Sequence, residues 1–299
     1  MYSPVPEVDE SATNTTAVSK SKEENVNHNS RETALKALTI TVWISGICFA
    51  IFATGHYVRH AWMDEWELWD LSDLHLYRPA QPFANMLMVT HLIGGSLLML
   101  LGPIQLIPSI RRWYLSFHRW TGRIYVTTAL VTALAVSTFV VLYRTSRNDV
   151  YEDVGNVVLG ISMMICATQS YRHVRNGRIE QHKWWSYRLY ALVLAALLYR
   201  LYVVVYFALI LFTPWTGSRF IFESLFFLFF LPNLMLVQLY RQVPHTTRLS
   251  KVLYSASLYI AATIFIGFTT GLLIFYNWWP SLKGQDVGQA SNIEHAYEN

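Results

Sequence analysis

From about residue 34 to residue 279 the chain alternates between long apolar runs and short polar joints. A bilayer takes roughly 20 helical residues to cross, and seven runs reach that length. They lie near 35–56, 83–107, 118–143, 154–173, 184–212, 220–241 and 252–277. The pattern predicts an all-α, polytopic membrane helical bundle of about seven transmembrane helices over 34–279. The fifth run is longer than a span requires, so it is expected to tilt or to project into the interface. Gly267 and Gly271 form a small-xxx-small pair in the last run, which predicts close helix packing there.

The first 33 residues are rich in Ser, Thr, Asn, Glu and Lys and have almost nothing to bury, so 1–33 reads as a disordered cytoplasmic tail. Residues 280–299 read as a polar C-terminal tail. No apolar stretch opens the chain, and the first span is expected to direct its own insertion.

Composition agrees with the membrane reading: 53% of residues are hydrophobic and only 14% charged, too little polar material to cover a soluble globule of this size. The formal net charge of +4 does not point to nucleic acid, because Lys and Arg sit in short clusters between apolar runs. The expected partners are the lipid bilayer and a redox partner or small-molecule substrate, with no nucleic acid. Cys48 and Cys166 lie inside apolar runs and imply no disulfide framework.

Charge also sets a direction. The N-terminal tail and the second, fourth and sixth loops with their flanks hold fifteen Lys and Arg, including Arg111, Arg112, Arg119, Arg123, Arg172, Arg175, Arg178 and Lys183. The alternate joints and the C-terminus hold six, together with most of the acids. Cytoplasmic loops carry the excess of Lys and Arg, so the N-terminus is predicted inside and the C-terminus outside.

Candidate chemistry collects at the ends of the runs. "FHRWTGR" (117–123) and "QHKWWSYR" (181–188) each open a run on the basic side with a histidine, cations and tryptophan. Free N–H groups at a helix start favour an anion, so the two segments are candidates for one basic, aromatic-rimmed pocket. A b-type haem is the other occupant considered, with His118 and His182 as ligands and Arg119, Arg123 and Arg188 near its propionates. His173 is a substitute ligand. Headgroup contact under the positive-inside rule explains the arginines equally.

Near the other face, His91 lies inside the second run, and Arg200 and Glu223 reach a similar depth from the fifth and sixth. Ionisable groups at that depth are costly, which makes Arg200 with Glu223 a candidate ion pair or substrate site. His56, His60 and Asp64 stand at i, i+4 and i+8, a spacing that chelates a metal and also occurs by chance at helix ends. A metal-dependent membrane hydrolase around His56, His60, Asp64 and His91 follows from the first of those alternatives. The seventh run has no lysine for a retinal Schiff base, and the chain has neither a GxSxG elbow nor a glycine-rich phosphate loop.

Three stretches carry a resemblance: "HLIGGSLLMLLGPIQLIPSIRRWYLSFHRWTGRIYV" (91–126), "HKWWSYRLYALVLAALLYRL" (182–201) and "FESLFFLFFLPNLMLVQ" (222–238). In this order they resemble a family of predicted membrane proteins catalogued as a domain of unknown function. The resemblance covers roughly 83–241 and picks out His91, Gly102, Gln105, His118, Arg119, Gly122, Tyr125, His182, Trp185, Arg188, Arg200 and Asn233. Ser186 stands where the family pattern has methionine, and His56 and His60 lie outside it. What the resemblance implies is a helical membrane domain with a recurring His/Arg/Gln set and no established reaction; Gln105, Arg200 and Asn233 from that set, with Glu223 from the depth argument, are the expected substrate contacts. The style is also similar to cytochrome b561-like and ferric-reductase-like haem bundles, which makes a redox or electron-transfer protein the leading expectation. An anion-binding or transport protein is the alternative.

Overall fold

The computed structural model describes residues 10–69, 76–145, 150–213, 227–242 and 249–278, and they are almost entirely helical, with no strand among them. Helix α1 (Glu10–Ala53) runs through a π-helical turn (Thr54–Val58) into α2 (Arg59–Trp62). It begins inside the stretch whose composition reads as a tail. After a 3-10 turn at Trp66–Trp69 come α3 (Pro82–Leu106), the short α4 (Pro108–Trp113), α5 (Leu115–Tyr143) and α6 (Val150–Arg175). Next follow α7 (Ile179–Val193), α8 (Ala195–Phe212), α9 (Leu231–Gln242) and α10 (Leu249–Leu273), which ends in a second π turn at Ile274–Trp278.

Five described segments are long and apolar enough to cross a membrane: Glu32–Trp62, Pro82–Leu106, Leu115–Tyr143, Val150–Arg175 and Ala256–Leu273. A sixth span is broken, since Ile179–Val193 and Ala195–Tyr206 meet at a 45° bend. The expected run at 220–241 lies partly outside the described residues. Its described part, α9, has 12 residues, about 18 Å at 1.5 Å per residue and short of a span. The chain is thus an all-α polytopic bundle with five or six spans among the described residues, and the expected seven are not all in evidence.

The excess length of the fifth expected run goes into that bend. A side chain meets the hydrogen-bond ladder at the bend. The ladder breaks at Leu194, the Ala191 carbonyl is left without a helical partner, and Asn233 Nδ2 on α9 donates to it at 3.1 Å. Tyr202 Oη on α8 donates to Asn233 Oδ1 at 3.3 Å, so one buried amide ties α9 to both arms. A backbone carbonyl freed within a membrane needs such a partner.

Helices α3, α5, α6 and α7 pack in a closed ring, with α5 and α7 facing across it; α1 covers α3 from outside and pairs with α10. Glycine sets the close approaches. A Cβ at Gly94 would run into Thr132, one at Gly102 into the Tyr190 ring, and one at Gly160 into Ser137. The pair expected to do this in the last span does not: Gly271 meets open space and Gly267 only ordinary contact with Thr41. The partner of α10 is held instead by a buried Thr270 to Ser45 hydroxyl bond (2.9 Å) and by Trp278 stacked on Phe52.

The end of the ring where α5 and α7 start carries the cations. At the other end Arg78 Nη2 donates to the carbonyls of Tyr143 (2.7 Å) and Arg144 (2.6 Å), closing the C-terminus of α5. There the buried Asp153 carboxylate accepts from Arg144 Nε (2.8 Å) and from both the backbone N–H and the hydroxyl of Thr145.

Candidate functional site

The basic mouth is built by chain turns that proline enforces. Ile107 precedes Pro108 and is held extended (ψ 114), which ends α3. The short α4 buries nothing and lays Arg111 and Arg112 across the bundle end, and α5 starts after Tyr114. At the next joint Gly177, with φ 71, turns α6 into α7. Histidine is the fourth residue of each new helix, His118 in α5 and His182 in α7, so the two imidazoles reach the mouth at the same depth. Neither helix start has a side-chain cap, which leaves free N–H groups facing the same mouth.

His118 and His182 lie within electrostatic reach of each other, with Arg111 and Arg119 beside His118. His182 Nδ1 lies 2.9 Å from the Ser170 carbonyl, and because a carbonyl only accepts, that nitrogen carries the proton. The lone pair is then on Nε2. Ser170, 1% exposed, also bonds Ser186 (2.8 Å), whose hydroxyl donates back to the His182 carbonyl (2.8 Å). On the other hairpin Gln105 Nε2 donates to Thr121, whose hydroxyl bonds back to the Phe117 carbonyl (2.7 Å). His118 Nδ1 is buried and has no hydrogen-bond partner.

Beneath the histidines stand Tyr125 and Tyr190, 6% and 8% exposed, both with buried hydroxyls that have no partner among the described residues. They meet at Gly102: a Cβ there would lie 3.5 Å from the Tyr125 hydroxyl and inside the Tyr190 ring. The guanidinium groups, phenols and helix N–H groups at the mouth are therefore donors, and His182 adds a donor there only when its Nε2 is protonated as well. Glu180, the carboxylate at the start of α7, accepts from Trp184 Nε1 at 2.7 Å.

The remaining expected site residues are spread. Arg123 is five residues beyond His118, about 140° round the helix, and its exposed guanidinium covers Trp120 at 4.9 Å. Arg188 covers Trp185 at 4.8 Å. Gly122 lets Gln105 lie close against α5. His173 Nδ1 is buried without a partner at the end of α6. His91 reaches the backbone of Thr132, lies within electrostatic reach of Arg200 and leaves its Nδ1 unpartnered. Arg200 lies over the Phe49 ring at 4.8 Å and donates to its own helix at the Ala196 carbonyl, while Glu223, its expected partner, is outside the described residues. Asn233 spends its amide on the bend.

The metal reading of the first span meets a different geometry. His60 Nδ1 bonds Glu65 (2.8 Å), His56 Nε2 bonds the Leu68 carbonyl (3.2 Å), and Asp64 accepts from Trp66 Nε1 (2.7 Å). The His56 and His60 rings stay 4.8 Å apart, but the helix ends at Trp62 and Asp64, with φ 59, leaves the face they share. Among the described residues no group of three His, Cys, Asp or Glu side chains is placed to hold a metal ion.

Reading the sequence run by run missed Thr121, Ser170, Ser186 and Tyr190. A signal for them was present: His118-Arg119-Trp120 recurs as His182-Lys183-Trp184, and tyrosine follows the histidine after seven residues in one case and eight in the other. The preceding helices share Gly-x-Ser followed by two long apolar residues, Gly94 to Leu98 and Gly160 to Met164. Two like hairpins, α3/α5 and α6/α7, thus run in parallel, and each brings a histidine and a tyrosine to the same end of the ring.

No curated protein and no solved structure matches the chain, so the likeness in style to haem bundles gains no support from known proteins. A family model described as Predicted membrane protein (DUF2306) matches residues 88–241, from the middle of α3 to the end of α9. That span is just over half of the chain and holds α5, α6, α7 and most of α3, both histidine-bearing helix starts and the Asn233 clamp, and on it this chain belongs to the DUF2306 family of predicted membrane proteins.

Proposed function

We propose that the mouth binds the anionic head group of a membrane amphiphile, with the basic end of the ring and the N-terminus in the cytoplasm. One observation carries the reading: two uncapped helix starts, two imidazoles and the guanidinium groups of Arg111 and Arg119 converge on one place, and the nearby carboxylate of Glu180 is occupied by Trp184. Arg111 and Arg119 are exposed, and the charge-assisted bonds that a guanidinium makes to a phosphate or carboxylate are the stronger ones. The amphiphile is favoured over a free ion because Trp113, Phe117 and Trp120, large apolar side chains of the kind found at membrane interfaces, are exposed at and beside the start of α5.

The test is binding of dodecyl phosphate to the full chain in nanodiscs, with inorganic phosphate as the chainless arm. Dodecyl phosphate binds the wild type, and Arg111→Gln with Arg119→Gln weakens it by about tenfold or more, one charge-assisted bond being worth about 1.5–3 kcal/mol. Inorganic phosphate binding equally well turns the source of the anion from lipid to solute. Affinity unchanged in the double variant ends the reading.

A second reading, haem b between His118 and His182, is favoured by the proton held on His182 Nδ1 by the Ser170 carbonyl, the usual support of a ligating imidazole. The donor set fits: two imidazoles at one depth with Arg111 and Arg119 beside them for propionates. When bound, haem supplies one-electron transfer at a potential set by its axial ligands. The chain's own part is to orient the two rings, Ser170 fixing that of His182 and α4 bringing the cations over the mouth. A reduced-minus-oxidised visible spectrum of protein expressed with added haem tests it: a sharp α band that is lost in His118→Ala and His182→Ala supports haem, and a colourless folded wild type ends it.

A further inference from the structure

Buried hydroxyls are costly when nothing accepts from them, on the order of 1–3 kcal/mol each, and the cost is not relieved in the core of a membrane bundle. Tyr125 and Tyr190 present two such hydroxyls in one place, below the mouth and on helices that face each other across the ring. They are at like positions in the two hairpins, seven residues after His118 and eight after His182. Gly102 on α3 is where they meet, and the lack of a side chain there is what lets the Tyr190 ring enter. Both rings point back towards the helix starts, as side chains on α5 and α7 must, and so towards the mouth.

Resting on the anionic-head reading above, we infer that Tyr125 and Tyr190 are ligand-contacting residues that donate to a carbonyl oxygen carried by the amphiphile below its charged head. His118 and Tyr125 are seven residues apart, about 10 Å along the axis, and side-chain tilt shortens the gap between the groups they bind. A glycerophosphate ester has this arrangement: an anionic phosphate, then an ester carbonyl a few bonds deeper, then an apolar chain. A carbonyl accepts from both phenols at once through its two lone pairs, which satisfies both hydroxyls with one ligand atom. The mouth supplies charge recognition and the phenols supply discrimination between an acyl and an alkyl linkage, since a donor pair built for a carbonyl is left unpaired by an ether.

The experiment uses two probes of equal charge and length, 1-lauroyl-glycerol-3-phosphate and its ether-linked counterpart, and the full chain in nanodiscs. The wild type is expected to bind the acyl form about tenfold more tightly, two neutral hydrogen bonds at roughly 0.5–1.5 kcal/mol each. Tyr125→Phe with Tyr190→Phe removes that preference, the acyl form losing more affinity than the ether form. Unliganded, the same variant has equal or higher thermal stability, because two orphan hydroxyls are gone, which keeps a folding defect apart from a binding one. If neither probe binds, the anionic-head reading fails. If the ether form binds as well as the acyl form, or the preference survives in the double phenylalanine variant, the phenols satisfy each other or water and this inference is overturned.

Discussion

Asn233 offers the sharpest test of the architecture, because a residue expected to touch substrate is placed by the structure as a clamp on the broken span. In Asn233→Ala the Ala191 carbonyl and the Tyr202 hydroxyl both lose their partner. Side-chain hydrogen bonds between membrane helices average about 0.6 kcal/mol and reach about 1.7, so the two bonds together are worth about 1–3 kcal/mol. An orphaned buried carbonyl adds on the order of 1–3 kcal/mol if the bend stays. Straightening at Leu194 recovers the carbonyl's helical bond and limits that second cost, so the net loss should be about 2 kcal/mol. The straightening has its own signature: arms of 15 and 12 residues that open from 45° to collinear lengthen the distance between their ends by about 3 Å at 1.5 Å per residue. Unfolding in mixed micelles followed by tryptophan fluorescence measures the first quantity, and spin labels at the ends of the two arms measure the second. Asn233→Asp should be worse than Ala, since a carboxylate oxygen replaces the donor facing the carbonyl. A loss below about 0.5 kcal/mol with an unchanged distance would mean that the bend belongs to the helix itself and that Asn233 does not hold it.

Other outcomes follow from the same packing. Gly102→Ala sets a Cβ into the Tyr190 ring and should cost about 1–3 kcal/mol by thermal unfolding, whereas Gly271→Ala, which meets open space, should be neutral or slightly stabilising. Asp153→Asn keeps one oxygen for Thr145 but removes the charge and sets an NH2 donor against Arg144 Nε at the opposite end, and a loss of about 1–3 kcal/mol is expected with no change in binding at the mouth, read from the same nanodisc assay. The proposed orientation places Arg178 in the cytoplasm, so a cysteine introduced there should react with a membrane-impermeant maleimide only after cells are opened. A glycan on Asn14, which begins the sequon Asn14-Thr15-Thr16, would reverse the orientation.

How much of this was already legible varies by residue, and the reason is physical. Apolar runs of membrane length report directly on bilayer thickness, so the all-α polytopic class and four of the spans could be placed from hydropathy to within a few residues. The mouth was legible in part: histidine and cations at the starts of two runs mark helix ends whatever the rotation, and the structure brings His118 and His182 within reach of each other. The recurrence of His-Arg/Lys-Trp with its trailing tyrosine was there to be read as a duplicated hairpin.

Helix rotation and breaks were not legible, because a helix that is apolar nearly all round shows no preferred face. Tertiary structure alone decided that Arg123 turns outward over Trp120 while Thr121 and Tyr125 turn in, and that His56 and His60 bond Leu68 and Glu65 while Asp64, past the end of α2, leaves their face. The bend at Leu194 carries no proline and no local mark; it depends on an amide that arrives from 42 residues away. By itself the sequence determined which segments enter the bilayer and which end of the bundle is basic, since these follow from transfer free energy and charge along the chain. Which side chains meet inside was settled only by packing, where a missing Cβ at Gly94, Gly102 or Gly160 decides how closely two helices approach.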